Sequence, residues 1–142
     1  MRQKLALITL GVTDLEKAVT FYEKGLNWKK SALSTGDLVL FSLGGIELAL
    51  YPRKLLAEDA TVDDSSSGFS GVTLSYLAKS EAEVEEVLAE VKKLGATIVK
   101  RAQKVFWGGY SGYFKDLDGH LIEVAYNPFW ELNENGDLKQ PL

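Results

Sequence analysis

Hydrophobic positions in this chain switch between a two-residue and a helical period, and the switches mark its elements. Residues 5–12 (LALITLGV) form a short apolar run rich in β-formers, which predicts a largely buried strand. Thr13-Asp14 then offers a helix N-cap, with Glu16 in the first turn. Leu15, Ala18, Val19, Tyr22 and Leu26 recur at helical spacing, and Gly25 supplies the stop. Residues 28–34, 38–43 and 46–51 read as three strands, with Gly36-Asp37 and Gly44-Gly45 as hairpin turns between them.

Residues 52–68 (PRKLLAEDATVDDSSSG) break this pattern with a proline, acidic residues and a serine run. They read as a linker in which Leu55-Leu56 adds one short turn. The pattern restarts with a strand at 70–77. Ser80 followed by Glu83 is a capping box, and Val84, Val87, Leu88, Val91 and Leu94 make one apolar stripe closed by Lys92, Lys93 and Gly95. Strands follow at 97–105, 109–115 and 120–126, with Asp118-Gly119 as a tight turn and Asn127-Pro128 as the end of the last.

The order is βαβββ, linker, βαβββ, an internal repeat. Repeats 4–52 and 69–128 make one α+β domain over 1–128, with 53–68 between them and 129–142 as a C-terminal tail. Glu47 and Glu123 sit at matching places in the last strand of each half, and Leu7 and Gly71 at matching places in the first.

Strand side chains alternate faces. Glu47, Ala49 and Tyr51 therefore oppose Ile46, Leu48 and Leu50, while Leu121, Glu123 and Ala125 oppose Ile122, Val124 and Tyr126. Leu7, Thr9 and Gly11, and Gly71, Thr73 and Ser75, are the corresponding sets in the first strand of each half. The apolar sets back onto helices. The small or polar sets predict a concave surface with room above it. A carboxylate in such a cleft is a candidate base, because desolvation raises its pKa. Exposed glutamates paired with Lys or Arg are the plain alternative.

Composition narrows the chemistry. The 142 residues hold no Cys and one His, His120. That excludes disulfides, thiolate metal sites, a cysteine nucleophile and, within one chain, any site needing two imidazoles. His120 follows the Asp118-Gly119 turn with parity opposite to Glu123, and reads as a turn residue before a ligand or base. Lys+Arg 16 against Asp+Glu 20, with no basic stripe, argues against nucleic acid. The apolar run Leu5–Leu10 is too short for a signal core or a span, so the expectation is a cytoplasmic protein without membrane contact.

Three stretches, ITLGVTDLEKAVTFYEKGLNW (8–28), GGIELALYP (44–52) and GGYSGYFKDLDGHLIEVAYNP (108–128), resemble the vicinal oxygen chelate superfamily. Its members include glyoxalase I, extradiol dioxygenases, methylmalonyl-CoA epimerase, and fosfomycin and bleomycin resistance proteins. The resemblance implies a glyoxalase/bleomycin resistance-like fold, two βαβββ modules forming an eight-stranded, cup-shaped mixed sheet. It also implies a homodimer. In metal-dependent members four inward side chains hold a divalent ion, and those positions fall here on Leu7, Glu47, Gly71 and Glu123. Both glutamates match, but Leu7 has no donor and Gly71 no side chain. The implied cofactor is therefore none, or at most a weakly held divalent metal on Glu47 and Glu123.

Three functions are compatible with these residues. The first is a metal-free protein binding a small aromatic or cationic molecule against Leu7, Thr9, Tyr51, Gly71, Thr73, Trp107, Tyr110 and Tyr113. Phe106 adds to that aromatic crowd, Phe114 has the opposite parity to Tyr113 and reads as core, and Gly108, Gly109 and Gly112 let a flat ligand approach. The second is a lyase, isomerase or epimerase in which Glu123 acts as base and Glu47 as acid, sharing a proton. Tyr113 or Tyr51 then donates to a forming enolate. The third is an interaction module without a ligand.

Overall fold

A computed structural model describes residues 1–142 except 2, 4, 66, 67, 71 and 140–142. The chain divides into two units, Met1–Phe69 and Ser70–Leu142. Each carries strands and a helix in the repeated order, an α+β architecture. Among the described residues no helix is long and apolar enough to cross a membrane.

The first unit holds β1 (Leu7–Val12), α1 (Leu15–Val19), β2 (Val39–Ser42), β3 (Glu47–Pro52) and α2 (Arg53–Ala60). Its sheet runs β1-β3-β2, with β1 parallel and β2 antiparallel to β3. The Asp14 carboxylate accepts from Lys17 N–H at 3.0 Å and caps α1. The helix then widens into a π turn over Thr20–Gly25, where Leu26 N–H donates to Phe21 C=O at 2.9 Å. Adjacent Phe21 and Tyr22 are both buried there. The stop expected at Gly25 falls instead on Asn27, which takes a left-handed φ of 57°. Phe41, Leu48, Leu50 and Val12 form the core, with Tyr22 tilted against Phe41 at 6.1 Å and Trp28 at 5.3 Å.

Two expectations for this unit need correction. The strand expected over 28–34 is reduced to isolated bridges, Lys30 with Phe41 and Thr35 with Leu38. The cause is Ser34, whose hydroxyl accepts the Leu40 N–H at 2.9 Å where a ladder carbonyl would stand. The expected linker begins with two turns of helix, α2, rather than one short turn. Its first residues, Arg53, Lys54, Leu55, Leu56 and Ala57, are strong helix formers, and they outweigh the loop-like serines and aspartates that follow. Thr61 closes α2 at φ 55°.

The second unit holds β4 (Leu74–Leu77), α3 (Glu81–Lys93), β5 (Thr97–Lys104), β6 (Tyr110–Lys115) and β7 (Leu121–Tyr126). Its sheet runs β4-β7-β6-β5, with β4 parallel to β7 and the rest antiparallel. The first unit repeats this plan, with the bridged segment in the place of β5. Seven strands are formed among the described residues, three and four, where eight were expected. Ser80 caps α3 by accepting from Glu83 N–H at 3.1 Å. Glu83 reaches back to Lys79 N–H at 2.6 Å, one residue before the cap, so the box is offset. The stripe lands as predicted, with Val84, Leu88 and Val91 buried against β6 and β7.

Candidate functional site

In the first unit, register places Leu7 beside Glu47, Thr9 beside Ala49 and Gly11 beside Tyr51. These residues share one face, opposite Leu48 and Leu50. α2 crosses one end of it: a Cβ on Gly11 would lie 3.3 Å from the Arg53 backbone. Leu7 is 44% exposed. Glu47 Oε2 is buried and, among the described residues, has no hydrogen-bond partner. An open cavity of about 550 Å³ lies in this unit against Trp28, Lys30, Phe41 and Leu43, and none of the predicted site residues lines it.

In the second unit, the parallel β4–β7 register sets Ser75 beside Glu123, and the antiparallel β7–β6 register sets Tyr113 beside Glu123. The Ser75 hydroxyl donates to Glu123 Oε1 at 3.1 Å. Burial, and then the charge of Glu123 and a hydrogen bond to it, push the Tyr113 phenol pKa up. The three side chains form a polar row across three strands, on the face away from α3. Thr73 lies exposed just before β4, and Gly71 lies outside the described residues. Sequence parity pointed to Glu123 and Tyr113, while Ser75 was only counted among the small residues of its strand.

Several predicted contributors stand elsewhere. Tyr110 shares its face with Gly112 and Phe114, toward α3, and its hydroxyl donates to Glu85 of that helix. It cannot line a site on the Tyr113 face. Its three-residue separation from Tyr113 already placed the two on opposite faces. The glycines expected to admit a flat ligand are covered from within the unit. The Trp107 ring lies on Gly109, Phe129 on Gly108 and Leu88 on Gly112. Trp107 therefore packs on its own turn. Phe106 is fully exposed, and Phe114 is core, as its parity predicts. The Asp118-Gly119 turn is organised by buried Asp116, whose Oδ1 accepts from Asp118 N–H at 3.0 Å and His120 N–H at 2.8 Å. His120 is thus a turn residue.

The donor set does not fit the resident metal that the superfamily resemblance implies. Leu7 offers no lone pair, Gly71 carries no side chain, and Glu123 Oε1 already accepts from Ser75. Among the described residues no three His, Cys, Asp or Glu are grouped to hold an ion. Glu47 Oε2 is a buried acceptor with no hydrogen-bond partner among the described residues.

Comparison with known proteins places this geometry. The chain is 32% identical over 120 residues to the fosfomycin resistance protein FosX of Listeria monocytogenes, covering 84% of this chain and 86% of that protein. It is 29% identical over 119 residues to the metallothiol transferase FosB of Shouchella clausii, covering 82% and 75%. The crystal structure of a glyoxalase-related enzyme from Fulvimarina pelagi superposes with a TM-score of 0.87 at 30% identity, covering 99% of both chains. A family model matches residues 4–124, and the chain belongs to the Glyoxalase/Bleomycin resistance protein/Dioxygenase superfamily.

Proposed function

We propose that this protein binds a small cationic or hydrogen-bond-donating organic molecule at Glu123, by charge and hydrogen bonding rather than through a resident metal. The observation that carries this reading is the Ser75–Glu123–Tyr113 row, built by register and facing away from α3. Among the described residues no Lys or Arg pairs with Glu123. A ligand ammonium or N–H is therefore the missing complement, and the Tyr113 ring beside it suits a cation carried on an aromatic frame. We read the assembly as a cytoplasmic C2 homodimer, which light scattering of the purified protein tests.

Benzylamine is the simplest probe. Calorimetric titration should give binding that EDTA leaves unchanged and that Glu123→Gln weakens about tenfold or more, as loss of a charged hydrogen bond does. Binding that EDTA abolishes, or that Glu123→Gln leaves intact, overturns the reading.

A second reading is catalytic and rests on Tyr113. Its phenol is held protonated beside a carboxylate, an acid next to a base. Glu123 takes a proton next to a substrate carbonyl, and Tyr113 donates to the enolate oxygen. Solvent deuterium entering the α-carbon of hydroxy-ketones or thioesters, and lost in Glu123→Gln, supports it. No exchange across such a panel sinks it. The likeness to FosX, named a fosfomycin resistance protein, also makes fosfomycin a compound to assay. Metal-stimulated fosfomycin turnover would replace both readings.

A further inference from the structure

The row at Glu123 extends one strand further. Register pairs Ser75 with Glu123, Glu123 with Tyr113, and Tyr113 with Lys100 on β5. Cross-strand partners stand on one face. Lys100 reaches that face only because β5 slips. Ile98 pairs with Phe114 on the α3 side, so a regular ladder would set Val99 opposite Tyr113 and turn Lys100 toward the helix. The register shift between Ile98 and Lys100 turns the lysine to the other side instead. Bulges that re-aim a side chain in this way gather at binding and active sites.

Among the described residues no carboxylate pairs with Lys100. Strand spacing puts the Lys100 and Glu123 backbones roughly 10 Å apart, a span the long lysine side chain can shorten.

We propose that Lys100 anchors an acidic group of the ligand, so that the molecule taken by this row is bipolar, with a cationic or donor end at Glu123 and a carboxylate-like end at Lys100. This rests on the reading of Glu123 as a binding group and adds the second pole.

Three matched probes test it: benzylamine, 4-methylbenzoate and 4-(aminomethyl)benzoate, titrated into the wild type, Lys100→Met and Lys100→Arg. The zwitterion should bind about tenfold tighter than benzylamine to the wild type. The gain should vanish in Lys100→Met, return in Lys100→Arg and fall with added salt. An equal affinity for the two amines, or a gain that survives Lys100→Met, overturns the proposal and leaves the Glu123 reading standing. If benzylamine binds nowhere, the Glu123 reading falls, and 4-methylbenzoate decides this one. Its binding must then depend on Lys100, and no binding ends the proposal. Lys100 is exposed, so Lys100→Met leaves the fold intact.

Discussion

Tyr113 on β6 stands directly opposite Glu123 on β7, and burial together with that carboxylate pushes the phenol pKa above 10.0. At neutral pH the pair is therefore a hydrogen-bond donor beside an acceptor, with Ser75 fixing the acceptor from the other side. The alignment follows from sheet register and needs no loop to hold it, which is the condition for a preorganised site.

Alkaline pH should expose this arrangement. Tyr76, on the α3 face, is pushed from 10.0 to about 12 by burial, then by its hydrogen bond to Glu83 and the charges of Glu83 and Glu90. Tyr113 moves in the same direction. The unfolded chain loses these protons first, so their contribution is complete below pH 10 and is lost as pH rises further, for Tyr76 toward its folded value near 12. Urea unfolding across that window should show falling stability. Tyr76→Phe and Tyr113→Phe should each flatten the slope, and tyrosinate absorbance should lag free tyrosine. A slope unchanged in Tyr76→Phe contradicts the assignment.

Gly112 lets α3 sit on the sheet. An added Cβ would lie 2.6 Å from Leu88 Cδ1, 2.8 Å from the Lys100 carbonyl and 3.0 Å from the Ala102 nitrogen. Two of those atoms are backbone and cannot yield cheaply. Gly112→Ala should cost about 1–3 kcal/mol, read as a lower urea midpoint. At Gly109 the three atoms nearest an added Cβ all belong to the Trp107 ring, which can swing away. Gly109→Ala should shift Trp emission while the midpoint moves less.

The same contrast shows what the sequence disclosed. α3, β1, β3, β6 and β7 follow from local period and caps, because each carries its own stripe or alternation. The segment 28–34 fails as a strand through one tertiary contact, the Ser34 hydroxyl on Leu40 N–H, which no period announces. α2 was hidden by the acidic and serine residues after it. At the site, parity alone brought Tyr113 and Glu123 together and should have set Tyr110 apart. Lys100 was out of reach, since its face depends on a bulge rather than on parity. The glycines were misjudged because sequence shows that a backbone is bare, not which ring already lies on it.

Ser34→Ala offers a direct check of that missing strand. It removes the acceptor of the Leu40 N–H, and Leu40 is buried. The unpaired donor should cost about 1–3 kcal/mol. Amide exchange at Leu40 should speed up selectively, while β1 amides keep their protection. Unchanged exchange at Leu40 would show that the main chain closes the ladder without the hydroxyl.

Glu47 carries the last test. Its Oε2 is buried and finds no partner among the described residues, with Leu7 on β1 and Ser42 on β2 beside Glu47 in register. A buried acceptor left empty is a standing cost, which proteins retain at binding sites more often than elsewhere. Glu47→Met keeps the length of the side chain and removes the empty acceptor. It should raise the unfolding free energy of the purified protein by about 1–3 kcal/mol. A loss of stability instead means that the oxygen is occupied in solution. EDTA then separates the two occupants: a fall in wild-type stability on chelation identifies a metal ion at Glu47, and no change identifies an organic donor or water.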